Sequence, residues 1–180
     1  MRARLLAAGA RPGFSGLMLD RRFDRDGVLL ARDEVLRLRT YRDPNGAETN
    51  WIGWKGPTGI TREGYKERRE LEYRLEGKTP PDALLEALGY RVSLRIDRRV
   101  EYFELERASV RLEWYPRMDV LMEVEGDPQG IETALTACGL PRSAYSAESL
   151  TAFADRYQQR TGRPARLAQD PGEPASWEPR

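Results

Sequence analysis

Glu123 and Glu125 alternate with Met122 and Val124 in the stretch VLMEVEG, so an extended strand would set both carboxylates on one face with apolar side chains behind them. Two adjacent carboxylates can hold a divalent cation, although an ordinary antiparallel strand with one wet face reads the same way. Basic residues alternate likewise. Arg37 and Arg39 share a face in VLRLR, and Lys55 shares one with Gly53 in WIGWK. Arg68, Glu70, Glu72 and Arg74 form a row, as do Arg91, Arg95, Asp97, Arg99 and Glu101, and Arg111 with Glu113. On a solvated sheet such rows pair weakly. Turned inward on a closed or strongly curved sheet, they would bind a polyanion together with a divalent cation. Arginines fit phosphate oxygens bidentately, a lysine adds a point charge, and carboxylates hold the metal. Neither sign is tolerable if buried without the other.

Composition narrows the chemistry. Histidine is absent from the 180 residues and there is one cysteine, which excludes histidine-based triads and histidine- or thiolate-ligated zinc. A bound metal would therefore take carboxylate oxygens, which suits magnesium, manganese or calcium. Lysine plus arginine total 30 against 29 acidic residues, so no global field favours nucleic acid or anionic lipid. No stretch approaches the roughly 18 apolar residues of a membrane span, and no signal-peptide pattern opens the chain, so a cytoplasmic protein without membrane or nucleic-acid partners is expected. Cys138, in ETALTACGL, falls at an apolar helical position and is expected to be a buried small hydrophobe.

The elements that must position these rows read mostly as antiparallel strands. MRARLLAAGA has helical spacing up to Gly9. GLMLDRRF and EVLRLRTY read as strands joined by a hairpin or longer loop at Asp26-Gly27, and DPNGAE as a turn before the strand TNWIGWKG. A loop through PTGIT leads to KERRELEYRL, a strand by its alternating Leu71, Tyr73 and Leu75. TPPDALLEALG reads as a helix capped by Thr79, followed by the strands YRVSLRIDRRVEYFEL, SVRLEWY and VLMEVEG. Two helices, DPQGIETALTACGL and SAESLTAFADRYQQRTG, close a domain over residues 1–162, and the proline-rich residues 163–180 read as a disordered tail. The fold class is α+β, dominated by antiparallel sheet.

In this order, LRLR (36–39), WKGP (54–57), RRELE (68–72), the arginine-bearing strand (95–99) and LEWYPRMDVLMEVEG (112–126) resemble the CYTH domain, or triphosphate tunnel metalloenzyme family, over roughly residues 1–160. That family includes class IV adenylyl cyclases, thiamine triphosphatases and inorganic triphosphatases. The resemblance implies an antiparallel eight-stranded β tunnel with flanking helices that binds a triphosphate compound, as a monomer or homodimer. It implies phosphate or substrate contacts from Arg37, Arg39, Lys55, Glu70, Glu72, Arg95 and Arg99, with Asp97 standing where the family often has a lysine. It further implies Mg2+ or Mn2+ on Glu113, Glu123 and Glu125, which would also be the catalytic carboxylates. The implied activity is hydrolysis of inorganic, thiamine or nucleoside triphosphate. Cyclisation of ATP to cyclic AMP is one alternative, and a non-catalytic polyphosphate- or nucleotide-binding module is another. The family's first strand, Glu-x-Glu-x-Lys, has no counterpart before MRARLLAAGA. A start assigned too far downstream is the favoured reason, ahead of truncation or a degenerate member that binds without turnover.

Overall fold

A computed structural model describes residues 1–76 and 81–170. Among these, the chain order is α1 (Arg2–Ala7), β1 (Arg11–Asp24), α2 (Val28–Ala31), β2 (Val35–Arg42), β3 (Glu48–Lys55), β4 (Gly59–Ile60), β5 (Lys66–Glu67), β6 (Glu70–Leu75), α3 (Asp82–Ala87), β7 (Arg91–Leu105), β8 (Ala108–Trp114), β9 (Leu121–Gly126), α4 (Pro128–Cys138) and α5 (Leu150–Thr161). Seven of these strands make one sheet in the order β6-β3-β2-β1-β7-β8-β9, and β4 with β5 makes a separate ribbon. The pairs β1–β2, β2–β3, β3–β6, β7–β8 and β8–β9 are all antiparallel, so the fold is α+β as expected. No described helix is long and apolar enough to cross a membrane.

The chain divides into two compact units: a terminal unit of Met1–Gly16 with everything from Arg98 onward, and a central unit of Leu17–Asp97. Strands β1 and β7 each contribute a segment to both. The terminal unit is cored by Leu5, Phe103, Val110, Leu112, Ala134 and Cys138, with Met122 and Val124 packed against them. Alternation explains the choice: Phe103 pairs Val110, Val110 pairs Val124 and Leu112 pairs Met122, so one face of β7-β8-β9 is apolar and α1 and α4 cover it. Cys138 is fully buried, as its position suggests. Helix α4 starts at Asp127, whose carboxylate accepts the Gly130 amide at 2.8 Å, and stops at Gly139 in the left-handed conformation, φ 63°.

In the central unit Met18, Phe23, Leu85 and Ile96 are buried, but β2 and β6 depart from the usual pattern. Asp20, Arg37 and Arg39 are at most 7% exposed, whereas Leu71 and Tyr73 of β6, on the opposite face of the sheet, are 38% and 66% exposed. The charged residues of β2, with Asp20 of β1, therefore lie on the more buried side.

Several local expectations are corrected. Asp26 and Gly27 adopt positive φ, 56° and 75°, in the longer of the two connections expected between the antiparallel strands β1 and β2, and this connection holds the short helix α2, which was not expected. The Asp24 carboxylate draws the chain that way by accepting the Leu29 and Leu30 amides, each at 3.0 Å. The expected loop through PTGIT contains the β4–β5 ribbon. Arg68 lies outside the β6 row, because its Nε donates to the Gly56 carbonyl at 2.6 Å and its guanidinium pairs with Asp33. Residues 163–170 include an antiparallel bridge between Arg117 and Arg166, closed by backbone bonds of 3.2 and 2.8 Å, where a disordered tail was expected. The Thr79 cap and residues 171–180 of that tail lie outside the described residues.

Candidate functional site

Register sets the charged face of the central unit in rows. Asp20 pairs Arg39, Arg39 pairs Trp51 and Trp51 pairs Arg74. The next row runs Arg22, Arg37, Gly53, Glu72, and the third brings Lys55 against Glu70. Since cross-strand partners share a face, these rows carry, among the described residues, the cations Arg22, Arg37, Arg39, Lys55 and Arg74 and the anions Asp20, Glu70 and Glu72. Positive charge is in excess.

Each carboxylate in those rows has a fixed cation. Arg39 grips Asp20 bidentately, Nε to Oδ1 at 2.6 Å and Nη2 to Oδ2 at 2.9 Å, and its Nη1 also donates to the Tyr41 hydroxyl at 3.3 Å. Lys55 Nζ sits 2.6 Å from Glu70 Oε1, and Arg37 Nη2 pairs with Glu72 Oε1. Gly53 makes room for that last pair: a Cβ there would stand 3.2 Å from Glu72 Oε1 and 3.4 Å from Arg37 Nε. Burial opposes the charge on Glu72, but the hydrogen bond and charge of Arg37, helped by Arg39 and Lys55, hold its carboxyl below the usual range. Arg37 Nε is itself buried without a hydrogen-bond partner among the described residues. A buried donor in this state costs about 1–3 kcal/mol unless an acceptor reaches it.

A second cluster lies in the terminal unit, on the face of β8 opposite its apolar core. Glu113 Oε1 accepts Arg111 Nε at 2.6 Å and lies 3.2 Å from Arg98 Nε, while Oε2 accepts the Tyr115 hydroxyl. Arg111 Nη1 donates to the Tyr102 hydroxyl at 2.8 Å, and Nη2 pairs with Glu123 directly across on β9. Burial alone would raise the Glu113 carboxyl, but Arg98, Arg111 and Tyr115 together hold it below its ordinary value. Burial and the neighbouring Glu113 charge push the Tyr115 hydroxyl up, so it remains a donor.

The residues expected from the sequence thus fall into groups. Arg37, Arg39, Lys55, Glu70 and Glu72 share one face of the central unit. Glu113 and Glu123 meet in the terminal unit, joined by Arg111, and Glu125 stands exposed opposite Ser109. Arg99 does not join them. It pairs Trp114, places its guanidinium 5.1 Å from that ring and bonds Glu101 at 2.7 Å, on the other face from Arg111 and Glu113. Arg95 is exposed in the central segment of β7. Sequence reasoning passed over Asp20, Arg98 and Tyr115, which complete the buried networks. Asp20 and Tyr115 each sit two residues from another charged group on the same strand direction, Arg22 and Glu113, and that spacing was the available signal.

The expected magnesium or manganese ligands do not fit a cation as they stand. Both oxygens of Glu113 are engaged by N–H and O–H donors, and a guanidinium lies between Glu113 and Glu123. Among the described residues no three acidic or cysteine side chains gather around one point.

Solved structures share this architecture. The PH1819 protein from Pyrococcus horikoshii OT3 is 18% identical with a TM-score of 0.68, covering 90% of this chain and 93% of that one. The PH1012 protein of the same organism is 16% identical with a TM-score of 0.66, covering 84% and 90%. A proposed adenylate cyclase from Vibrio parahaemolyticus is 16% identical with a TM-score of 0.62, covering 86% and 92%. The chain has their fold. Identities this low establish the fold alone. No protein-family model matches the chain, and no curated protein sequence does.

Proposed function

We propose that this chain binds a triphosphate-containing small molecule through the charged face of its central unit, in the manner the CYTH resemblance implies. The observation that carries the reading is the buried, unpartnered Nε of Arg37 within a face where cations outnumber carboxylates. A phosphate oxygen supplies the missing acceptor, and the excess positive charge supplies the attraction. Arg37 and Arg39 are held in place by Glu72 and Asp20, so little rotamer freedom is lost when a ligand docks. Lys55 adds a compact charge at the strand end.

Turnover is the second reading, favoured by the fold shared with a proposed adenylate cyclase. It would be hydrolysis of the triphosphate, or cyclisation of ATP to cyclic AMP with release of pyrophosphate. The test begins with calorimetric titration of tripolyphosphate, thiamine triphosphate and ATP into the full chain and into Arg37→Met. Saturable binding that the substitution weakens about tenfold or more supports the assignment. Absence of binding to all three sinks it. Incubation of each ligand with the chain and Mg2+ or Mn2+, with cyclic AMP, pyrophosphate and phosphate resolved, then separates enzyme from binder.

A further inference from the structure

The terminal-unit cluster bears on whether Glu113 and Glu123 can hold a metal. Arg98 and Arg111 have side chains only 5% and 9% exposed, and they converge on a Glu113 side chain that is 7% exposed. Arg111 commits Nε to Glu113, Nη1 to Tyr102 and Nη2 to Glu123, and its guanidinium lies 5.2 Å from the Tyr102 ring. Two guanidiniums face Glu113 and Glu123, so the charge of each of these carboxylates is already met, while Glu125, two residues along the same face of β9, stands exposed. A magnesium ion demands oxygen ligands at about 2.1 Å in near-octahedral order. To gain Glu113 and Glu123 together, it would have to displace a buried guanidinium that then lacks both carboxylates, and an uncompensated buried charge is strongly destabilising. In the central unit Asp20, Glu70 and Glu72 are likewise each taken by Arg39, Lys55 and Arg37.

We propose that Arg111 takes the place of a divalent cation between Glu113 and Glu123 in the terminal unit, and that the central unit binds its phosphate ligand with its own fixed guanidinium and ammonium groups, without metal. This inference rests on the proposed phosphate binding and specifies how that binding is charge-compensated. A guanidinium fixed on a strand is already desolvated and oriented: Arg111 compensates Glu113 and Glu123 within its own unit, and Arg37 and Arg39 are the ones held ready for phosphate in the central unit.

Two measurements on the full chain decide it. Mn2+ is titrated in the absence of phosphate while free Mn2+ is followed by electron paramagnetic resonance, on the wild type and on Glu123→Gln. Because Glu123 is 45% exposed at its side chain, that variant retains the buried pairs of the cluster. The expected result is no saturable Mn2+ uptake that depends on Glu123; uptake that Glu123→Gln abolishes overturns the proposal. Tripolyphosphate is then titrated in EDTA and in excess Mg2+. Binding at least as tight in EDTA is expected, and tightening of about tenfold or more on adding Mg2+ overturns the proposal. If tripolyphosphate binds in neither buffer, the proposed function falls, and the Mn2+ titration alone decides the role of Arg111.

Discussion

Asp20 is 1% exposed and its charge is compensated by the bidentate grip of Arg39, so the two side chains stand or fall together. Removing one partner of such a pair leaves a buried charge, which costs about 3–5 kcal/mol, whereas removing both costs less. Asp20→Ala is therefore expected to lower the unfolding free energy by about 3–5 kcal/mol in urea titrations, and Asp20→Ala with Arg39→Met to recover part of that loss. A cost below about 1 kcal/mol for the single change would mean that the pair is not buried in solution. Glu113 makes a prediction in pH. Burial alone would raise its carboxyl, yet Arg98, Arg111 and Tyr115 depress it below 4.5. A carboxyl depressed on folding contributes stability above its unfolded value and loses it as pH falls through the folded one. Wild-type stability should accordingly decline below about pH 4.5, with Glu113→Gln showing a shallower acid limb in the same denaturation series.

Helix α4 depends on two glycines that no polarity pattern reveals. A Cβ at Gly130 or at Gly126 would collide with the Arg107 carbonyl oxygen, so the β7–β8 turn presses directly on the start of the helix. Backbone cannot yield as a flexible side chain can, and Gly130→Ala should destabilise by about 1–3 kcal/mol through overpacking, read as a lowered thermal midpoint. That close approach is what lets Ala134 and Cys138, further along the same helix, reach the core beside Phe103 and Val110. The strands of the large sheet were legible, because LRLR, ELEYRL and RLEW alternate strictly. Helix α2 was not: four residues, VLLA, carry no period, and what directs them is the Asp24 carboxylate. The two-residue strands β4 and β5 are too short to read for the same reason. Alternation correctly put Arg99 with Glu101, but only the register, Arg99 to Trp114 and Val100 to Glu113, shows that this face is the one away from Glu113.

Across the whole molecule, composition and element order were enough to reach an antiparallel α+β fold, while the division into two compact units was hidden because β1 and β7 each run through both. Composition also dictates how the entire chain responds to pH. With no histidine among 180 residues, no side chain has an ordinary value between the carboxylates, near 4, and the cysteine thiol, near 8.5. The shifted groups at the alkaline end mostly move away from neutrality: burial raises the Cys138 thiol and carries the Tyr145 hydroxyl up to about 12. Lys66 moves down from 10.5, through burial and the neighbouring Arg68 charge. Folding should then exchange almost no protons from about pH 5.5 to 7, and the urea unfolding free energy should stay level across that window. One proton taken up or released on unfolding would tilt it by about 1.4 kcal/mol per pH unit. A slope of that size would reveal a carboxylate displaced to near-neutral pH, and the ion-paired networks around Asp20, Glu72 and Glu113 would then have to be redrawn.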